Sequence, residues 1–294
     1  MTDENTPRPL NARSLLREAG LSPKKSFGQN FLVADEVTAQ IAAACVPDAE
    51  MGLAEVVELG AGAGALTSLL VLRAKHVTAV ERDRDMLPIL TRSLGAYVES
   101  GALTLLEADA AAIDVAGLLG TSAPRVYCGN LPYQITGRLI TLACVNAAYI
   151  ERAVFMVQEE VCDRLVAKPS TKEYGALSVF TQAAFHVKKL RAVSRGCFFP
   201  SPDVTSAVVV LTARRPVLAE ETQGMKSAVS RAFQARRKTL RNAWRGLLPD
   251  AELAAAALRA GISLDARGET LDVQAFARIA RELDALLPAA AQSV

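Results

Sequence analysis

Histidine is scarce in this chain. His76 and His186 are the only two among 294 residues, too few and too isolated to build a metal site. The five cysteines, at positions 45, 128, 144, 162 and 197, form no C-x-x-C pair. Neither a zinc cluster nor a disulfide framework is expected, no metal is expected, and a reducing, cytoplasmic setting is. No apolar run approaches the ~18 residues of a membrane span, and Met1 to Arg13 mixes acids, prolines and arginines without the apolar segment of a signal peptide. A strong charge of one sign is also missing. A net charge of +2 and a pI of about 8.3 make no case for nucleic acid by themselves, so such a case must rest on where the cations sit. What remains, 51% hydrophobic and 22% charged residues, is an ordinary globular composition, long enough for one large domain and a smaller one.

The most informative stretch is Gly129-Asn130-Leu131-Pro132-Tyr133, which follows the apolar run Arg125 to Cys128. That run reads as a strand end, which puts the five residues on the kind of loop where α/β proteins collect their chemistry. Asn130 offers a side-chain carbonyl as acceptor, Leu131 a backbone carbonyl, Pro132 stiffens the turn, and Tyr133 supplies a stacking face. The set suits the exocyclic amine of a base. Asn-x-Pro alone also serves to reverse a chain.

Upstream, a short helix is expected over Ala12 to Ala19, ended by Gly20, and then a polar loop with Lys24, Lys25, Phe27, Gln29, Asn30 and Phe31. The lysines suit phosphates, and Gln29 and Asn30 can hydrogen-bond a small ligand. Asp35 is expected to cap a helix over Glu36 to Ala44. Glu55 to Leu59 reads as a strand that runs into Gly60-Ala61-Gly62-Ala63-Gly64 and then a helix. Glycines let backbone approach a ligand, and a helix N-terminus adds free N–H groups. After a second strand, His76 to Val80, Glu81 stands where a carboxylate can take both hydroxyls of a ribose. A third strand, Leu103 to Leu106, leads to Asp109, read either as a helix cap or as the acceptor for an adenine amine. These features do not choose the cofactor, because Gly60-x-Gly62-x-x-Ala65 also fits a dinucleotide fingerprint.

Strand and helix alternate onward: a helix from Gly137 to Cys144, a buried strand from Val154 to Val157, helices over Glu159 to Val166 and Tyr174 to Phe185, and two further strands, Lys188 to Val193 and Ala207 to Leu211, forming an antiparallel edge. A doubly wound α/β sheet is therefore expected. Between the last strands, Phe198 and Phe199 precede a proline-stiffened loop and can present a ring opposite Tyr133. After Arg215 the composition turns to alanine, leucine and charge without strand signals. Arg231, Phe233, Arg236, Arg237, Lys238, Arg241, Trp244 and Arg245 crowd into its first helices, a basic patch with aromatics interleaved that suits a phosphate backbone. The expected division is a flexible tail over 1–21, a large α/β domain over 22–214 and a small all-helical domain over 215–294.

The ordered set Phe27-Gly28-Gln29-Asn30-Phe31-Leu32, Glu58 to Gly64, Gly129 to Tyr133 and Phe198-x-Pro200-x-Pro202-x-Val204-x-Ser206 closely resembles the ribosomal RNA adenine dimethyltransferase family, and Phe233 to Asn242 is similar to its C-terminal helical signature. The likeness covers nearly the whole chain beyond about residue 22. It implies a Rossmann-like class I methyltransferase fold, S-adenosylmethionine as methyl donor and S-adenosylhomocysteine as by-product. The donor is held by Asn30, Leu32, Gly60, Glu81, Asp109 and Asn130, with Gln29 and Gly62 beside them, and NAD is thereby set aside. The implied catalytic set is Asn130, Leu131, Pro132, Tyr133 and Phe198. Lys24, Lys25, Arg236, Arg237, Lys238 and Arg241 are expected to meet RNA. Thr205 departs from the family, which more often carries an acid there. The implied substrate is two adjacent adenosines near the 3′ end of 16S rRNA in the small subunit or its precursor, modified by a monomer. Two alternatives are a 23S rRNA dimethyltransferase of the antibiotic-resistance type and a non-catalytic RNA-binding assembly factor.

Overall fold

The computed structural model describes residues 9–121 and 123–286, the Lys25 side chain excepted. The phosphate reading of Lys25, and the outer ends of the expected tail and C-terminal domain, lie outside the described residues. Contacts divide the chain into two compact units. One comprises the residues up to Cys162 with Lys188–Thr212, the other Asp163–Val187 with Ala213–Val294. Residues 163–187, expected in the first domain, thus group with the C-terminal helices.

The first unit is built on strands β1 (Phe31–Leu32), β2 (Glu55–Leu59), β3 (His76–Glu81), β4 (Leu103–Glu107), β5 (Arg125–Asn130), β6 (Arg152–Gln158), β7 (Phe185–Val193), β8 (Phe198–Phe199) and β9 (Ser206–Ala213). Seven form one sheet in the order β4-β3-β2-β5-β6-β9-β7, and β1 and β8 pair separately. The pairs from β4 through β6 are parallel and β6–β9 is antiparallel. Strands covered on both faces read as unbroken apolar runs, as in Ala153-Val154-Phe155-Met156-Val157, all buried. β7 instead alternates half-buried and exposed positions between its buried ends, with His186 and Lys188 among its exposed residues, which suits an edge that must not recruit further strands.

The winding places the site. From β2 the chain moves one way to β3 and β4, then returns to the other side of β2 through β5 and β6. The reversal lies between β2 and β5, and the crevice at their carboxyl ends is where open α/β sheets bind ligands.

Several expectations need correction. The helix Ala12–Glu18 buries Ala12 and Leu16, and the Leu10 N–H reaches Ser68 Oγ at 3.2 Å. The part of the tail from Leu10 on is therefore packed, because its apolar side chains cover Ala63, Met86 and Ile89. Asp35 does not cap: Ala34 holds the cap position without a side-chain bond, and Asp35 lies in the first turn, where its charge favours the helix N-terminus. The helix Met86–Glu99 is an addition, its buried Met86, Ile89, Leu90 and Leu94 falling on one face. No helix among the described residues is long and apolar enough to cross a membrane.

The second unit is all-helical apart from the outer end of β7. Its core gathers Tyr174, Trp244 and Phe276. The Trp244 indole donates to the Ala228 carbonyl at 2.9 Å and the Tyr174 hydroxyl to the Leu271 carbonyl at 2.9 Å. Phe233 packs between the rings of Tyr174 and Phe276 at 5.8 and 5.9 Å. The aromatics among the arginines are thus core anchors, not stacking platforms.

Candidate active site

A cavity of about 220 Å³ opens at the reversal, and the smaller space beside it, about 50 Å³, shares Phe31, Gly60, Gly62 and Asn130 with it. The glycine loop follows β2. Gly60 and Gly62 adopt φ of +71° and +56°, a region where a side chain is strained. At Gly62 a Cβ would also come within 3.1 Å of the Phe31 ring. The turn lets the Gly62 N–H point at Glu81 Oε2, 2.7 Å away.

Glu81 closes β3. Its Oε2 accepts from Gly62, its Oε1 from the Asp83 N–H at 2.7 Å. Burial raises its pKa, and these backbone donors partly offset that. A carboxylate held by backbone donors on both oxygens still keeps lone pairs for a diol. Asp109, just beyond β4, also lines the cavity. It caps a local turn through the Ala111 N–H at 2.9 Å and lies 3.6 Å from Arg82.

Asn130 is the last residue of β5, so the strand runs two residues further than its apolar stretch suggests. Its Nδ2 donates to the Asn30 carbonyl at 2.8 Å, which fixes the amide and leaves Oδ1 as an acceptor. Leu131, Pro132 and Tyr133 follow along the cavity wall. The Tyr133 hydroxyl meets Ser206 Oγ at 2.7 Å. Burial, more than this bond, decides the direction of its pKa, which is raised. The phenol stays protonated at neutral pH and is no base.

Gln29, Asn30, Gly60, Gly62, Glu81, Asp109 and the Asn130 turn therefore converge on one cavity, whereas Leu32 lines only the smaller space. Phe198 lines neither. It is 3% exposed and belongs to the core, paired through β8 with Leu32. Neighbouring residues on a strand face opposite ways, so one of Phe198 and Phe199 must point inward. The other ring, Phe199, is half-buried against the cluster of Ala12, Leu16 and Phe31 and lies 4.8 Å from the Arg13 guanidinium. The expected sandwich of Tyr133 with Phe198 is thus not formed; the rings at the cavity are Phe27, Phe31 and Tyr133.

Lys24 is not directed at phosphate. Its Nζ pairs with Asp83 and Asp85, each at 2.6 Å. Arg236 is likewise engaged, by Glu269 at 2.8 Å and the Thr171 carbonyl at 3.0 Å. Arg241 pairs with Asp265 at 3.3 Å near the surface, while Arg237 and Lys238 are exposed. Arg82 and Gln134, which the sequence reading passed over, line the cavity, and so does Phe27, which it named without a role. A ring inside a basic loop, and an arginine directly after Glu81, were the available signals.

Beneath the glycine loop, Glu58 is 2% exposed and accepts from Thr67 Oγ1 at 2.7 Å. Desolvation, against the Thr67 bond and with help from the nearby Glu81 charge, raises its pKa to about 7. A raised folded-state pKa stabilises the fold fully below the ordinary 4.5 and loses that contribution as pH rises through about 7. Between pH 5 and 8, chemical denaturation should show the wild-type chain losing about 3 kcal/mol more than Glu58→Gln. Parallel profiles would refute a buried, neutral Glu58.

Fold and cavity together define a Rossmann-like methyltransferase: a glycine loop after the first long strand, an acid closing the second, and an acceptor-bearing turn at the switch point. A family model described as ribosomal RNA adenine dimethylase matches residues 20–285, and the chain belongs to that family. It is 42% identical over 283 residues to the ribosomal RNA small subunit methyltransferase A of Anaeromyxobacter sp. (strain K), covering 92% of this chain and 97% of that protein. It is 37% identical over 284 residues to the protein of the same name from Geobacillus thermodenitrificans (strain NG80-2), covering 94% and 96%. Among solved structures, a dimethyladenosine transferase from Plasmodium falciparum shares the fold at a TM-score of 0.74 and 22% identity, over 87% of this chain and 98% of that one. The 23S rRNA methyltransferase ErmE has a TM-score of 0.63 at 27% identity, over 87% and 100%.

Proposed function

We propose that this chain transfers methyl groups from S-adenosylmethionine to N6 of two adjacent adenosines near the 3′ end of 16S rRNA, within the small subunit or its precursor, as a cytoplasmic monomer. The observation that carries the reading is the Asn130 amide, held by the Asn30 carbonyl at the edge of the cavity that Glu81 and the glycine loop also line. The residues fit the cofactor. Glu81 has free lone pairs for ribose hydroxyls, Gly60 and Gly62 leave room for close approach, and Asp109 offers an acceptor at the far strand end. Bound there, S-adenosylmethionine supplies an electrophilic methyl on a sulfonium.

The lone pair of an adenine amine is delocalised into the ring. Acceptance of its protons by Asn130 Oδ1 and the Leu131 carbonyl favours a tetrahedral nitrogen and aims the lone pair for in-line attack. Tyr133 gives the extruded base a face, worth ~1–3 kcal/mol against the cost of unstacking. The turn presents an amide, carbonyls and a protonated phenol, so the amine's proton passes to water after transfer.

Labelled-methyl transfer to unmethylated small subunits, large-subunit RNA and naked DNA tests the reading, with the modified base mapped. Incorporation at paired adenines of small-subunit RNA is expected. Label only in large-subunit RNA would move the chain to the 23S type, and none anywhere would leave a binding factor. RNA affinity should fall with salt, and Arg237→Ala with Lys238→Ala should lower the slope of log K against log salt by about 1.5. Arg236→Ala should lower the melting temperature instead, since that guanidinium ties Thr171 to Glu269.

A further inference from the structure

One wall of the cavity is a strap of chain, residues 26–30, whose only regular structure is the single turn Lys25–Phe27. One carboxylate holds it. Asp83 is 2% exposed and lines neither cavity. Its Oδ1 accepts from Lys24 Nζ at 2.6 Å and its Oδ2 from Gln29 Nε2 at 2.7 Å. These donors stand at the two ends of the strap, and the Lys24 N–H closes the ring by donating to Gln29 Oε1 at 2.8 Å. On the other side, the Asp83 N–H donates to Glu81 Oε1, and Asp83 Oδ1 also accepts the Asp85 N–H at 3.1 Å. Asp83 therefore joins the strap to the strand end that carries Glu81. Between the anchors sits Phe27, its ring centroid 5.5 Å from both Lys24 Nζ and the Arg82 guanidinium.

We propose that Asp83 is a positioning residue that latches this strap across the cavity and sets the rate at which S-adenosylmethionine and S-adenosylhomocysteine exchange. The inference rests on the cofactor reading above. Dimethylation takes two transfers to each base, so by-product must leave and donor must enter between them, and a wall tied at both ends to one buried carboxylate resists that passage. Charge-assisted bonds to a shielded acceptor are the strong kind. Losing them leaves Lys24 with Asp85 alone, an acid at the surface.

Surface plasmon resonance with the immobilised full-length chain and S-adenosylhomocysteine as analyte tests this, with circular dichroism melts as the control for folding. Asp83→Asn, Lys24→Met and Gln29→Ala should each raise the dissociation rate about tenfold, the size expected for one charge-assisted bond. Lys24→Met should add less than about twofold when made on Asp83→Asn, because both changes open one latch. Lys24 is half-exposed, so its variant provides the readout should Asp83→Asn fail to fold. Dissociation rates unchanged in folded variants, or a Lys24→Met effect that adds in full, would overturn the latch alone. A wild-type chain that binds no S-adenosylhomocysteine would overturn the cofactor reading and the latch with it.

Discussion

Asn130→Ala is expected to slow methyl transfer about a hundred- to thousandfold, the usual effect of deleting one preorganised polar group at a reacting centre. The loss should fall on kcat. On the proposed reading Oδ1 acts when the amine becomes tetrahedral, whereas Glu81 and the glycine loop would hold the cofactor without it. The fold should tolerate the change, because the side chain is only half-buried and makes one hydrogen bond, to the Asn30 carbonyl. A shift of about 1 kcal/mol is expected, with RNA association retained. Single-turnover transfer under saturating cofactor separates the alternatives. An unchanged rate would remove Asn130 from the chemistry, and a defect confined to cofactor KM would recast it as a binding residue.

Gly129→Ala should produce the largest loss of stability, about 3 kcal/mol, at the upper end for overpacking a close-packed core. Gly129 sits in β5 between Leu59 of β2 and Phe155 of β6. A Cβ there would lie 2.4 Å from the Leu59 carbonyl oxygen and 3.1 Å from the Leu59 Cβ. The blocking atom is backbone, so no rotamer relieves it. The two strands would have to separate where one gives way to Gly60 and the other delivers Asn130. Melting should fall by roughly 6–12 °C, and cofactor binding should weaken at the same time. A variant with wild-type melting and affinity would mean that the crevice is less rigidly set than the close approach implies.

The parts of the site that were legible share a feature: local chemistry announces them. Gly60 and Gly62 had to be glycines for the turn that aims an N–H at Glu81, and the carboxylate, the amide and the tyrosine each carry a group whose purpose is restricted by its neighbours in sequence. The long parallel strands were equally open, because burial on both faces writes itself as an unbroken apolar run. Lys24 was misread for the opposite reason. A lysine in a polar loop looks free until its partner is known, and Asp83 lies 59 positions away. Arg236 repeats the case with Glu269, 33 positions on. The exposed basic patch is narrower than composition suggested, for Trp244 and Phe233 are drawn inward by the need of a small helical unit for large apolar side chains. Phe198 was assigned to the cavity from its motif, but its facing is set by the pairing of β8 with β1.

By itself the sequence determined the winding of the sheet, the glycine turn, the acid at the end of β3 and the polar turn after β5, since each depends on the periodicity or stereochemistry of a few consecutive residues. Only the tertiary structure decided which cations remain available, which ring faces the cavity, and that one buried carboxylate ties a cavity wall to the strand end beside Glu81. Those outcomes depend on Coulomb partners and on facing directions set across tens of residues, and a charge or a ring carries no mark in the chain of what it will meet.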